Sequence, residues 1–242
     1  MSVFSHQTAV VTGASSGLGQ AISLALAVQG ASLFLIGRKR DKLDAIAESA
    51  RAKTSRVVSF QADLTVDENV SEVAATLRRE FRSVDLLVHS AGVISIGPVG
   101  SAPVEELDRQ YRVNVRSPYL LTQTLLPMLK ACRGQIVFMN SLVGLNAKAN
   151  SSHYSMTKHA LKALADSLRD EVNADGVRVL SVFLGRTATP MQATLQGMEG
   201  RTYCPEVLLQ PEHVAGVVLN ALSLPRTAEV TDISIRHAIK LA

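Results

Sequence analysis

The sequence predicts a single doubly wound α/β domain: a parallel sheet of about seven strands with helices on both faces. Three observations predict it. Short apolar runs rich in Val, Ile and Leu recur along the chain, and stretches of helical periodicity separate them. A glycine-rich turn follows the first apolar run directly. No repeat, low-complexity linker or shift in composition divides the 242 residues, so residues 1–242 are read as one domain.

Each element has its own signal. Thr8 to Val11 is an apolar run and reads as a buried strand ending at Thr12-Gly13. A helical pattern then runs to Gln29-Gly30, where the glycine stops it. Ser32 to Ile36 is the second strand, and Asp41 is placed to cap a helix reaching about Arg51. Val57 to Phe60 is the third strand, Val66 to Glu80 a helix, and Val84 to His89 the fourth strand. Glu105 to Ala131 reads as one long helix, followed by a strand over Gln135 to Asn140. His153 to Asn173 is a helix with Leu161, Leu164, Leu168 and Val172 on its core side. Val177 to Phe183 is the sixth strand, Glu212 to Leu222 a helix, and Glu229 to Ile235 a last strand with β-branched alternation. Val93 to Pro103 and Gly185 to Pro211 are irregular. Long loops in a compact α/β domain are usually functional, and residues 185–211 are the expected substrate lid.

Composition narrows the function classes. The net charge is +4 with a pI near 9.2, but the basic residues form no Lys/Arg blocks and aromatics are few. That argues against a nucleic-acid surface; a solvated surface or a polyanionic small molecule accounts for the excess. Cys132 and Cys204 belong to no C-x-x-C or Cys/His cluster, so no metal site is expected. Their scarcity suits a reducing compartment. Met1 to His6 shows neither a basic n-region nor a long apolar run, so no signal peptide is expected. No membrane-spanning apolar run occurs, and a cytoplasmic protein is inferred.

Three stretches carry chemistry. Thr12-Gly13 through Gly17-Leu18-Gly19, with Ser15 and Ser16 between, lies where a strand gives way to a helix. Glycines there permit a tight turn and a close backbone approach to a pyrophosphate, whose charge the helix N-terminus favours. The second strand ends Ile36-Gly37-Arg38-Lys39-Arg40. NAD sites place an acid at that point for the ribose 2′-hydroxyl. Bases there, Arg38 above all, favour the 2′-phosphate of NADP. Tyr154 and Lys158 stand four apart on a helix and share a face. A cation beside a phenol is expected to lower the phenol's pKa and fit it for proton exchange with a carbonyl oxygen. Ser141 is a candidate to hydrogen-bond the same oxygen. His153 and His159 flank the pair but point elsewhere on the helix and read as structural or exposed. Met191, Met198 and Tyr203 either line an apolar substrate pocket or pack the loop.

Taken together these motifs resemble the short-chain dehydrogenase/reductase family, in its single-domain, NADP(H)-preferring branch, over nearly the whole chain. The resemblance implies a Rossmann-type fold. It places cofactor contacts at Gly13, Ser15, Ser16, Gly17, Leu18 and Gly19, and at Arg38 and Lys39 beside the ribose. It adds Asp63 and Leu64 on the adenine side, and Ser90, Ala91 and Gly92 after the fourth strand. Gly185, Thr187 and Thr189 would grip the nicotinamide carboxamide, and Tyr154 and Lys158 would also touch the cofactor. The implied catalytic set is Asn114, Ser141, Tyr154 and Lys158: Tyr154 as acid/base, Ser141 on the substrate oxygen, Lys158 on Tyr154 and the nicotinamide ribose, and Asn114 supporting a proton-relay water. No metal is implied. Two departures stand out: His89-Ser90 replaces the usual Asn-Asn, and Leu184 replaces the usual Pro. His89 is read as a packed strand residue.

The expected activity is NADP(H)-dependent hydride transfer between nicotinamide and a carbonyl or secondary-alcohol substrate, in a homodimer or homotetramer. The alternatives are a 3-oxoacyl thioester reductase, disfavoured by the end of the chain (Glu229 to His237), and a non-catalytic dinucleotide-binding regulator or scaffold.

Overall fold

The computed structural model describes residues 2–238; Met1 and residues 239–242 of the assigned domain lie outside the described residues. One parallel sheet organises the chain. Its strands are β1 (Thr8–Thr12), β2 (Ser32–Gly37), β3 (Val57–Gln61), β4 (Leu86–His89), β5 (Gln135–Ser141), β6 (Arg178–Leu184) and β7 (Asp232–Ile235). They lie in the order β3-β2-β1-β4-β5-β6-β7. The order reverses between β1 and β4, which pair directly, Val11 opposite Val88. Such a reversal opens a crevice at the carboxyl ends of the two strands, where doubly wound sheets bind ligands.

Strand alternation builds two cores from one sheet. In β1, Ala9 and Val11 face one layer and Val10 the other; in β2, Leu33 and Leu35 oppose Phe34 and Ile36. The first layer is closed by α1 (Gly17–Val28), α2 (Arg40–Arg51) and α8 (Pro211–Leu222), through residues such as Ile22, Leu43 and Val214. The second is closed by α3 (Asp67–Glu80), α5 (Ser117–Ala131) and α6 (Ser152–Val172), through Leu77, Leu121 and Leu161.

Four boundaries differ from the sequence expectation. The long helix of residues 105–131 is two helices, α4 (Val104–Tyr111) and α5, joined by a π-helical turn over Arg112–Arg116. The chain stays helical from 104 to 131, so the expected helix is present; the five-residue π turn within it is too short for the apolar pattern to reveal. β4 starts at Leu86 because the Asp85 side chain accepts the Thr8 N–H (2.8 Å) and the Ser83 hydroxyl (2.9 Å). β7 starts at Asp232 because Glu229 acts through its side chain, which accepts the Val179 N–H (2.8 Å) and Asn173 Nδ2 (3.2 Å). The 185–211 stretch is not all loop: it holds α7 (Pro190–Met198). Thr189 caps that helix by accepting the Gln192 N–H at 3.2 Å, and Pro190 starts it. A smaller shift is at α2, whose N-cap is Lys39 rather than Asp41.

Candidate active site

The crevice between β1 and β4 begins at the glycine turn. Gly13 and Gly17 adopt left-handed backbone, with φ of 66° and 55°. A Cβ at Gly13 would stand 2.8 Å from the Ala91 nitrogen, and one at Gly19 only 2.3 Å from the Gly13 carbonyl oxygen. These two glycines therefore let the turn, the start of α1 and the end of β4 interlock. Gly17 differs: a Cβ there would meet the Thr189 methyl at 3.1 Å, across from the start of α7. Thr12 ties the far side, its hydroxyl accepting the N–H groups of Ser90 and Ala91, both at 3.0 Å. The first turn of α1 contains no acidic residue, and Ser16 makes no side-chain cap bond. The helix N-terminus thus keeps N–H groups and partial positive charge for an anion.

The second strand delivers the basic group. Arg38 and Lys39 are exposed, whereas Arg40 is held by Asp44 at 2.6 Å. Ser15 packs beside Gly37: its Cβ would lie 3.3 Å from a Cβ built there. Burial pushes the Asp63 carboxyl up, but hydrogen bonds from the Thr65 N–H and hydroxyl and the charge of Arg38 outweigh it and hold it below the usual range. Asp63 and Arg38 are therefore close enough for their charges to interact. Leu64 belongs to the core, and its carbonyl accepts the Ser117 hydroxyl at 2.7 Å.

The candidate catalytic groups sit at the carboxyl end of β5. Ser141 ends that strand, and Tyr154 and Lys158 lie on the first turns of α6. Asn140 braces them: its Nδ2 donates to the Lys158 carbonyl (3.1 Å) and its Oδ1 accepts the Ser141 N–H (2.8 Å). Asn114, in the π-helical turn, is 1% exposed. Its amide exchanges two bonds of 2.9 Å with the Val93 backbone and donates to the Thr157 hydroxyl at 3.1 Å. Thr157 in turn donates to the Tyr154 carbonyl at 2.8 Å. The Asn140 amide thus fixes the backbone of Ser141 and Lys158, and the Asn114 amide reaches that of Tyr154 through the Thr157 hydroxyl. The π turn is what aims Asn114 inward, and such turns are frequent at functional sites.

The electrostatics differ from expectation in one respect. Burial pushes the Tyr154 phenol up to about 12, with a hydrogen bond from Ser141 pulling the other way. Lys158 does not lower it here. Its Nζ stands 5.8 Å from the centre of the Tyr154 ring and donates to the Met139 carbonyl at 3.0 Å. Burial pushes the Lys158 ammonium itself down to about 8. Spacing on a helix placed the two side chains on one face; the Met139 carbonyl decides where the ammonium points.

The remaining positions divide. A Cβ at Gly185 would lie 3.2 Å from Arg236, so this glycine lets β6 leave the sheet beside β7. Thr189 is brought to the glycine turn beside Gly17, whereas Thr187 bridges Leu209; their hydroxyls are engaged locally, at 3.4 Å to the Thr187 carbonyl and 3.0 Å to the Gly185 carbonyl. Met191 reaches over Gly92, its methyl 3.8 Å from a Cβ built there. Met198 is exposed and Tyr203 half-buried. His89 is 3% exposed, stacked on Phe138 with centroids 4.9 Å apart and bonded to the Thr122 hydroxyl at 2.8 Å. His159 bonds the Ser155 carbonyl at 2.9 Å on the exposed side of α6, while His153 is buried. Sequence reasoning missed Thr157 and the Met139 carbonyl, for which no sequence signal exists. It also missed α7, which Thr189-Pro190 announced. Among the described residues no group of three or more His, Cys, Asp or Glu gathers as a metal site, and no helix is long and apolar enough to cross a membrane.

Known proteins resemble the chain along most of its length. The family model described as short chain dehydrogenase matches residues 7–200. An uncharacterized oxidoreductase of Staphylococcus epidermidis is 33% identical over 237 residues, covering 98% of this chain and 99% of its own. An alcohol dehydrogenase from the archaeon Thermococcus sibiricus, solved with 5-hydroxy-NADP, superposes with a TM-score of 0.89 at 27% identity, covering 98% of this chain and 99% of that one. L-sorbose reductase from Gluconobacter frateurii, solved with NADPH and L-sorbose, superposes at 0.85 with 26% identity, covering 97% and 96%. Fold, strand order and family match agree, and the chain belongs to the short-chain dehydrogenase/reductase family of oxidoreductases.

Proposed function

We propose that the protein is an NADP(H)-dependent oxidoreductase acting on a carbonyl/secondary-alcohol pair, with Tyr154 as the general acid/base. The observation that carries this reading is the braced Ser141, Tyr154 and Lys158 group at the carboxyl end of β5. Two features of the crevice support a dinucleotide: the acid-free N-terminus of α1 suits a pyrophosphate, and Gly17 leaves room that a side chain would fill against Thr189. Arg38 and Lys39 would hold the 2′-phosphate, and Asp63 the adenine side. Ser90 to Gly92 would wall the adenosine, while Gly185, Thr187 and Thr189 face the nicotinamide end. Two of the superposing structures contain NADP-type cofactors, which favours the same choice.

When bound, the cofactor supplies or accepts the hydride. The protein's part is proton transfer and orientation. Tyr154 carries its proton at neutral pH and would give it to the carbonyl oxygen of a substrate being reduced, a transfer that requires its pKa to be drawn down from about 12 in the loaded site. Ser141 donates a hydrogen bond to that oxygen and stabilises the charge that develops on it. Lys158 would stabilise the phenolate by turning its ammonium from the Met139 carbonyl toward Tyr154. Asn114 keeps Val93 and Thr157 in place, which holds the wall of the site and the backbone of Tyr154. A cytoplasmic homodimer or homotetramer is proposed with this activity.

Titration of NADPH and NADH into wild type and Arg38→Ala tests the reading. Wild type is expected to prefer NADPH by about 1–3 kcal/mol, the scale of charge-assisted hydrogen bonds, and the variant to lose most of that preference. Equal binding of both cofactors removes the NADP assignment. Binding of neither, with no turnover of any carbonyl in a screen, leaves a scaffold that has lost its reaction.

A further inference from the structure

The two ends of the sheet carry unlike chemistry. The crevice lies beyond the carboxyl ends of β1 and β4. At the amino ends of β1 and β2, next to Thr8 and Ser32, an open groove of about 890 Å³ is lined by Arg56, Arg78, Arg79 and Arg82, with Glu80 as its one acid. Four arginines face Glu80 in the lining, and the Asp85 carboxylate stands directly behind Thr8 and Ser83, so four positive charges meet two negative ones and the groove stays basic. Along β1 the groove and the glycine turn are separated by roughly 13 Å, so they are distinct sites.

The arginines are not equivalent. Arg56 is pinned: its guanidinium lies 4.7 Å over the ring of buried Phe81, donates to the Glu80 carbonyl, and stands 3.6 Å from the Glu80 carboxylate. Arg79 also pairs with Glu80, at 3.0 Å. Glu80 is therefore divided between two bases. Arg78 and Arg82 are exposed and make no ion pair among the described residues. Like charges so gathered repel one another, and an anion bridging them relieves that repulsion. Planar guanidinium forks from two or three sides match phosphate oxygens, which several donors can share at once.

We propose that this groove is a second anion site that binds a small, multiply phosphorylated molecule. Its volume suits one small ligand. Its charge is confined to Arg56, just before β3, and to residues 78–82 at the end of α3 and just beyond it, too compact for the string of phosphate contacts that duplex nucleic acid requires.

Calorimetric titration with inorganic tripolyphosphate at about 0.1 M salt, on wild type, Arg78→Ala/Arg82→Ala and Arg38→Ala, tests the site. Both arginines of the double variant are exposed, so it is expected to fold; its circular dichroism and melting point check this. Wild type is expected to bind tripolyphosphate, the double variant at least tenfold more weakly, and Arg38→Ala as wild type does. NADPH affinity should be unchanged in the double variant. The proposal is overturned if wild type shows no binding at millimolar tripolyphosphate, or if Arg38→Ala rather than the double variant loses it. It is equally overturned if a short DNA duplex binds the groove more tightly than tripolyphosphate does.

Discussion

The glycine turn and the segment 185–211, proposed as a substrate lid, meet where Gly17 faces Thr189, and they are built on opposite principles. At the turn there is no spare room: side chains at Gly13 or Gly19 would stand 2.8 and 2.3 Å from backbone atoms. In the lid, Cβ atoms at Gly197 or Gly200 would meet nothing within 4 Å. The lid helix α7 also turns Gln192 and Gln196 inward and leaves Met191 and Met198 exposed. One wall is made unique by backbone interlock and the other is only loosely determined by its own packing. A site that holds an invariant cofactor and a variable substrate needs that asymmetry, because rigid elements position chemistry and loops adjust specificity.

If chemistry resides on the rigid side, its loss there should be the largest effect. Tyr154→Phe is expected to lower kcat about 10²- to 10⁴-fold with the melting temperature little changed, the usual scale for a general acid. Steady-state kinetics with any accepted carbonyl check it, and a loss below tenfold would move the proton donor elsewhere. Next, Gly19→Ala is expected to destabilise the fold by about 1–3 kcal/mol, because the new methyl meets the Gly13 carbonyl rather than a flexible side chain. Urea unfolding measures this; a neutral outcome would show that the turn is looser than its contacts indicate.

A third effect comes from beneath the rigid wall. Burial pushes the His89 imidazole down to about 3, so the folded protein holds it neutral where the unfolded chain takes up a proton. Stability from this group is complete above about pH 6.5 and is lost as the pH falls from there toward 3, with a slope of up to about 1.4 kcal/mol per pH unit. His89→Asn should flatten the acid limb relative to wild type in urea unfolding between pH 7.5 and 4.5. Parallel curves for the two proteins would mean that His89 is protonated in the fold. The smallest effect, of opposite sign, belongs to the lid. Gly197→Ala should leave NADPH affinity unchanged and stabilise α7 by up to about 1 kcal/mol, since alanine favours a helix and has open space there. Hydrogen exchange over residues 190–198 reads it directly.

Much of this was legible in the chain. The βα alternation, the strand ends that carry Gly13, Arg38, Ser90 and Ser141, and the helix that carries Tyr154 and Lys158 follow from hydrophobic period and turn residues. Those features are local: a side chain's apolarity or a glycine's freedom acts over a few residues, so the sequence by itself determined them. Tertiary structure decided the rest. The π turn that aims Asn114 at Val93, the Met139 carbonyl that draws the Lys158 ammonium, and the burial that lifts the Tyr154 phenol all depend on atoms distant in sequence. So does the gathering of Arg56 with Arg78 and Arg82, which no run of basic residues announces. Desolvation and close contact are properties of what surrounds a group in space, and a linear pattern carries no record of that until the chain has folded.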